Sequence, residues 1–268
     1  MKSNTFFSFN RFYLLLRNDI LINYKKYLFT VLGAFIVGYL ILFWWMSKIE
    51  NFYDYFTANK YSSAFFMGLL GLGALIGMAF PELGNKIKTS NYLMLPASAF
   101  ERMTVQFLIR VIGAGFLYLV VFWLDAHLAR FSALKIYPGH VNVHSIESFH
   151  FSGLLIFKND LLSKLAFIFG IFSIGMYLFS IRIFFKRFAL VKTIISLVAL
   201  YALLMCVNVL FSHLFYPETI GFRVYIDNYD LAPNLTNNEI YGYSISFLSW
   251  LFFLLLGYFK LKEIQVRV

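Results

Sequence analysis

Six stretches of the chain are almost wholly apolar, at about 27–46, 61–80, 105–124, 161–185, 189–211 and 241–260. Each is close to the roughly 20 residues that carry an α-helix across a hydrocarbon core about 30 Å thick. Backbone N–H and C=O groups find no water in that core, so only helices or the strands of a closed barrel cross it. Runs of this length without strand alternation leave the helix. The pattern therefore predicts an all-α integral membrane protein with six transmembrane helices. Only Lys186-Arg187-Phe188 separate the fourth and fifth runs, which predicts a tight helical hairpin.

Ahead of the first run, Phe9, Phe12, Tyr13, Leu16, Ile20 and Tyr24 fall on one helical face, among Arg11, Arg17, Lys25 and Lys26. This predicts an amphipathic helix over 1–26 lying in the cytoplasmic interface. The alternative is that part of it extends the first span. A cleaved signal peptide is not expected, because the apolar core starts late and no small-residue cleavage site follows Trp44-Trp45-Met46-Ser47.

Composition agrees with a membrane chain: 60% of residues are hydrophobic, 13% are charged and the mean hydropathy is +0.72. Soluble domains run at about 25% charged. The net charge of +10 would suit a nucleic-acid surface, but its distribution points elsewhere. With both termini inside, 15 of the Lys and Arg residues fall on the cytoplasmic side and 7 on the other, with Arg110 inside the third run. That asymmetry predicts cytoplasmic termini and a basic face against anionic lipid, with no nucleic-acid partner. The single cysteine, Cys206, excludes an intramolecular disulfide.

One short cytoplasmic stretch, 81–104, combines charge with apolar residues that neither lipid nor water obviously claims: Leu93, Met94, Leu95 and Phe100. Pro96 disfavours helix at Leu95, and Ser98 is placed to cap a helix entering the third span. One reading is a docking surface for a cytoplasmic partner, with Glu82, Lys86, Glu101 and Arg102 setting orientation around the apolar residues. The other is a connector lying on the membrane surface. Two extracytoplasmic loops, 125–160 and 212–240, are each long enough for a short helix or cap but not for an independent domain.

Catalytic chemistry finds little support. His127, His140, His144 and His150 with Glu147 lie in the first outer loop, but their spacing matches no zinc motif. No phosphate-binding glycine loop or nucleophile elbow occurs. Arg110 sits about one turn inside the third run and is expected to snorkel to the interface, or to pair with Glu101 or Glu82. Asp125 and His127 are expected at the opposite interface. Gly68, Gly71, Gly73 and Gly77, with Gly113, Gly115, Gly170 and Gly175, favour close helix approach. No internal repeat stands out. No catalytic, cofactor-binding or metal-ligating residue is expected.

The layout resembles the membrane subunits of bacterial ABC transporters of the ABC-2 type. The resemblance rests on the amphipathic Phe9–Tyr24 stretch, six spans and two cytoplasmic ends. It rests also on Tyr92-Leu93-Met94-Leu95-Pro96-Ala97-Ser98-Ala99-Phe100-Glu101 leading into the third span, and on the tail Gly257-Tyr258-Phe259-Lys260-Leu261-Lys262-Glu263. It implies a single transmembrane domain over 1–268 in a bacterial inner membrane. It implies separate ABC ATPase subunits docked at Glu82, Lys86, Leu93, Met94, Leu95, Pro96, Phe100, Glu101 and Arg102, and a second permease chain. ATP and magnesium would then bind the partner and not this chain, which would be no enzyme itself. Export is implied more than import, with no substrate named. The residues alone also admit a scaffold component without transport, or a membrane enzyme using the outer histidines.

Overall fold

The structure is a computed structural model, which describes residues 6–47, 58–84, 89–90, 92, 94–137, 146–155, 161–185, 188–215, 230–232 and 235–266. Helices account for nearly all of it: α1 (Phe9–Ser47), α2 (Ala58–Ile76), α3 (Ala99–Phe107), α4 (Ala114–Ile136), α5 (Leu161–Ile181), α6 (Ala189–Phe215) and α7 (Asn237–Val266). A π-helical segment, Leu108–Gly113, joins α3 to α4 so that 99–136 is one continuous helical rod. Short 3-10 turns lie at Pro81–Gly84, Phe151–Leu155 and Arg182–Phe184. A small antiparallel pair, β1 (Asp230–Ala232) with β2 (Leu235–Thr236), precedes α7. Among the described residues, four helices are long and apolar enough to cross a membrane: α1, the α3–α4 rod, α5 with its 3-10 turn, and α7. Two shorter apolar stretches lie in α2 (Tyr61–Ile76) and α6 (Val191–Val207). The described residues are thus those of a helical, membrane-embedded protein with one small strand pair.

The contacts gather into two compact units, one of 1–76 with 95–159 and the other of 77–94 with 160–268. In the first, α1 and the α3–α4 rod lie side by side and run parallel. Their polar contacts climb together, from Arg11 with Glu101 through Asp19 with Gln106 to Tyr39 with Ser132. The seam is made of small residues: Ala126, Ala129 and Ala133 on α4 are wholly buried, against Leu42 and Met46 of α1 in the same core. At its middle, Gly38 of α1 lies directly on the Asp125 carboxylate, where any side chain would collide. In the same core, Phe122 of α4 packs edge-on to Phe65 of α2 at 5.1 Å and to Phe149 at 5.2 Å. Tyr118 donates to the Phe65 carbonyl at 2.6 Å.

Three expectations change here. The boundary expected at residue 26 is not a break: α1 continues for 39 residues without interruption. Neither Pro nor Gly occurs between Phe9 and Leu32, and Asn23 Nδ2 bonds the Asp19 carbonyl and side chain within the helix. Such a rod is roughly 58 Å long, about twice the hydrocarbon thickness. Second, the expected outer loop at 125–160 begins as helix, because α4 extends to Ile136. Its part at 146–155 is not a solvated loop: Ile146 and Phe149 are buried in the core of the unit. Tyr61 donates to the Glu147 carbonyl and Arg130 Nε to the Ile146 carbonyl, each at 3.0 Å. Third, Asp125, expected at an interface, packs inside the protein: it is 2% exposed, within the α1–α4 seam.

In the second unit, α5 and α7 are also parallel neighbours. Ser163 meets Tyr243 at 2.7 Å, Ser249 donates to Ser173 at 2.8 Å, and the Tyr177 ring meets Phe253 at 5.1 Å, in ascending order on both helices. Gly170 and the serines bring the backbones close, the usual device where lipid gives no hydrophobic drive between helices. Arg182, buried at the end of α5, donates Nη1 to the Phe185 carbonyl at 2.6 Å and Nη2 to the Phe80 carbonyl at 3.5 Å. Phe80 takes a left-handed backbone (φ 51°), which a bulky residue adopts only when its surroundings impose it. Here its ring is wholly buried against Phe179, 5.3 Å away. Each unit therefore repeats one internal plan, two parallel long helices with a third between them in sequence, although no sequence repeat announces it.

Candidate functional site

The stretch 81–104 is divided between the units: Pro81–Gly84 belong with the second and Leu95–Thr104 with the first. Lys86 and Leu93 lie outside the described residues. Glu82, half-buried in the 3-10 turn, is near enough to Arg182 to interact electrostatically, and its carbonyl accepts from Thr89 Oγ1 at 3.1 Å.

From Leu95 onward the local geometry is tightly specified. Pro96 ends the preceding helical conformation, and the Leu95 carbonyl then accepts from Ala97 N and from Arg102 Nη2, both at 2.7 Å. Ser98 caps α3 from an extended conformation (φ −73°, ψ 159°). Its hydroxyl accepts from Glu101 N at 3.1 Å, while Glu101 Oε2 accepts from Ser98 N at 2.8 Å. This is a capping box, satisfying two orphan donors at once. The other carboxylate oxygen, Oε1, reaches the start of α1. It accepts from Ser8 N at 2.6 Å and from Arg11 Nε and Nη2 at 3.2 and 3.0 Å. Phe6 stacks on Phe100 at 5.0 Å and Phe7 meets the same ring edge-on at 6.1 Å.

The turn is thus a rigid hook, bolted to α1 by one carboxylate. Glu101 and Arg102, read from the sequence as surface charges, are 0% and 1% exposed. They cannot offer charge to a partner, because the turn uses both to satisfy its own backbone. What the hook presents outward is apolar: Met94 at 74% exposure, Leu95 at 38% and Pro96, with Phe100 partly covered by the N-terminal phenylalanines. The expected face Phe9, Phe12, Tyr13, Leu16, Ile20, Tyr24 is also split. Phe12 and Leu16 are half-buried, whereas Phe9, Tyr13, Ile20 and Tyr24 are exposed, as are Leu14, Leu21 and Ile22 on other sides of the helix.

Further along α1, a second polar cluster joins it to the rod. The Asp19 carboxylate accepts from Tyr27 OH at 2.6 Å, and from Asn23 Nδ2 and Gln106 Nε2 at 3.3 Å each. Arg110, within the π-helical segment, lays its guanidinium 5.2 Å from the Tyr27 ring centroid. It pairs with neither acid named from the sequence: Glu101 is engaged by Arg11. Sequence reasoning missed Ser8, Arg11, Asp19, Tyr27 and Gln106 as partners of this region. The Ser98-x-x-Glu101 pattern was a visible signal for the cap, but nothing in the sequence paired residue 11 with residue 101.

Of the histidines, His140 and His144 lie outside the described residues. His127 packs on Trp123 with centroids 4.6 Å apart, and His150 Nε2 meets Ser148 Oγ at 2.9 Å. Among the described residues no three His, Cys, Asp or Glu side chains gather as metal ligands. No protein family, curated protein or solved structure matches this chain.

Proposed function

We propose that this chain is the membrane-spanning subunit of an ATP-driven transporter of the ABC-2 type, an exporter in a bacterial inner membrane, coupled to separate ATPase subunits through the hook at 94–101. The observation that carries the reading is the exposed apolar edge Met94-Leu95-Pro96 on a turn whose polar groups are all turned inward. A connector needs no such scaffold. A surface that must hold its shape while a partner pushes on it does. ATP and magnesium belong to the partner, and a second permease chain completes the transport path. This chain's own part is mechanical: a displacement of the hook reaches α1 through Glu101 and Arg11, and α1 carries it along the seam with α4.

Six crossings with both termini cytoplasmic are part of the proposal, and the parallel pairs support them. Two neighbouring helices that cross a membrane in the same direction need a return crossing between them. The connection from Ser47 to Ala99 contains α2, and that from Ile181 to Asn237 contains α6. Four long helices and two obligatory returns make six.

Burying Leu95 and Met94 against a partner contributes roughly 1.5–3 kcal/mol each, or tenfold or more in affinity. Leu95→Asp is therefore expected to weaken co-purification of the proposed ATPase subunit at least tenfold, and Lys262→Ala, on the exposed tail, to leave it unchanged. Normal ATPase retention by a Leu95→Asp variant that inserts and extracts as a monodisperse species would return the hook to the role of connector.

A further inference from the structure

The hydropathy run puts Arg110 about one turn inside the membrane, but its packing sets it level with Tyr27, the first residue of the apolar run of α1. Lys26 is the neighbouring residue. Both cations thus lie at the level along α1 where its apolar run begins, which in a bilayer is the level of the phosphates. Neither has a carboxylate partner among the described residues. Arg110 has the Tyr27 ring as its neighbour, and its Nε is buried without a hydrogen-bond acceptor. Lys26 has one long contact, 3.5 Å to Asn23 Oδ1. Asp19, which bonds the same Tyr27 and Asn23, has both oxygens occupied by Tyr27, Asn23 and Gln106.

The surroundings suit a lipid better than a free ion. Ile22 and Phe29 lie on the same helical face as Lys26, at 68% and 70% exposure, and Gly33, one turn beyond, has open space where a side chain would be. A headgroup charge would meet the cations while its acyl chain lies along these apolar positions.

We propose that Lys26 and Arg110 form a binding site for the phosphodiester of an anionic lipid. The π-helical turn serves this site: its wider ring carries Arg110 while α3 and α4 keep their own seams with α1. The inference needs the chain to cross a membrane but does not need it to couple to an ATPase, so the two readings fail separately.

The full chain, purified in detergent, is titrated with phosphatidylglycerol, phosphatidylcholine and inorganic phosphate, with binding read by native mass spectrometry and protection by the thermal midpoint. Phosphatidylglycerol is expected to bind and to raise the midpoint, and the other two to do neither. Each lost cation is expected to weaken phosphatidylglycerol about fivefold in Arg110→Gln and Lys26→Gln. Arg110→Lys should retain most of the affinity and Lys262→Gln all of it. Lys26 is exposed, so Lys26→Gln has no folding defect to hide behind, and unchanged affinity in that variant overturns the site. Equal protection by inorganic phosphate or by phosphatidylcholine overturns the assignment to an anionic lipid.

Discussion

Gly38 and Asp125 form the tightest point of the α1–α4 seam. The missing side chain at 38 is what admits the carboxylate, and Asp125 Oδ1 is buried there without a hydrogen-bond partner. A buried polar group in that state is costly and is tolerated only where the surrounding packing holds it. Gly38→Val is expected to destabilise the chain by about 1–3 kcal/mol, because the new side chain must displace the carboxylate or separate the helices. Combining it with Asp125→Ala should cost less than the sum of the two single changes, by about 0.5 kcal/mol or more. Unfolding midpoints in detergent for the four members of the cycle test this, and additive losses would mean that the two residues do not share the space. Glycine frequency in the spans draws attention to Gly71 and Gly115, yet both face open space, whereas at Gly38 and Gly68 an added side chain would collide with one already there.

At the start of α1 and α3, one carboxylate joins two elements that are some ninety residues apart in sequence. Glu101 caps its own helix and fastens the other, accepting from Ser8, Ser98 and Arg11. Charge-assisted hydrogen bonds of this kind are the strong ones. Glu101→Ala should lower stability by about 1.5–3 kcal/mol, since it strands buried donors on both sides. Arg11→Ala should cost less, because the Arg11 side chain is 32% exposed and water replaces its partner. Thermal midpoints rank the two, and limited proteolysis in detergent should find the Phe6–Arg11 segment newly sensitive in Glu101→Ala. Equal resistance to protease in parent and variant would remove the idea that this carboxylate ties the N-terminal segment down.

For the molecule as a whole, the decisive property is the order of crossings. Cysteine labelling in intact cells tests it after Cys206→Ser. Tyr55→Cys, His140→Cys and Asn228→Cys are expected to react with an impermeant reagent from outside. Asn4→Cys, Ser90→Cys and Val266→Cys are expected to react only after permeabilisation. Labelling of Ser90→Cys from outside would break the six-crossing order and with it the cytoplasmic hook. Arg110 packs against Tyr27, the residue at which the apolar run of α1 begins.

The sequence alone determined that this is a helical membrane protein. Long apolar runs permit nothing else in lipid, and that argument needs no contact between residues. It determined the cap at Ser98 as well, because a capping box is local and spans four residues. What it misread are the properties that depend on a neighbour far along the chain. Glu101 and Arg102 read as surface charges because charged residues in a short connector usually are, and only Arg11, Ser8 and the Leu95 carbonyl bury them. Asp125 ends a hydropathy run, and because hydropathy averages over all sides of a helix its burial in a seam was not legible. The packed helix turns Asp125 inward against Gly38 and leaves Phe116, Trp123 and Phe131 facing out. The same averaging hid the parallel pairing of α1 with α4 and of α5 with α7, for register between two apolar helices is set by small residues and a few polar contacts that no single run contains.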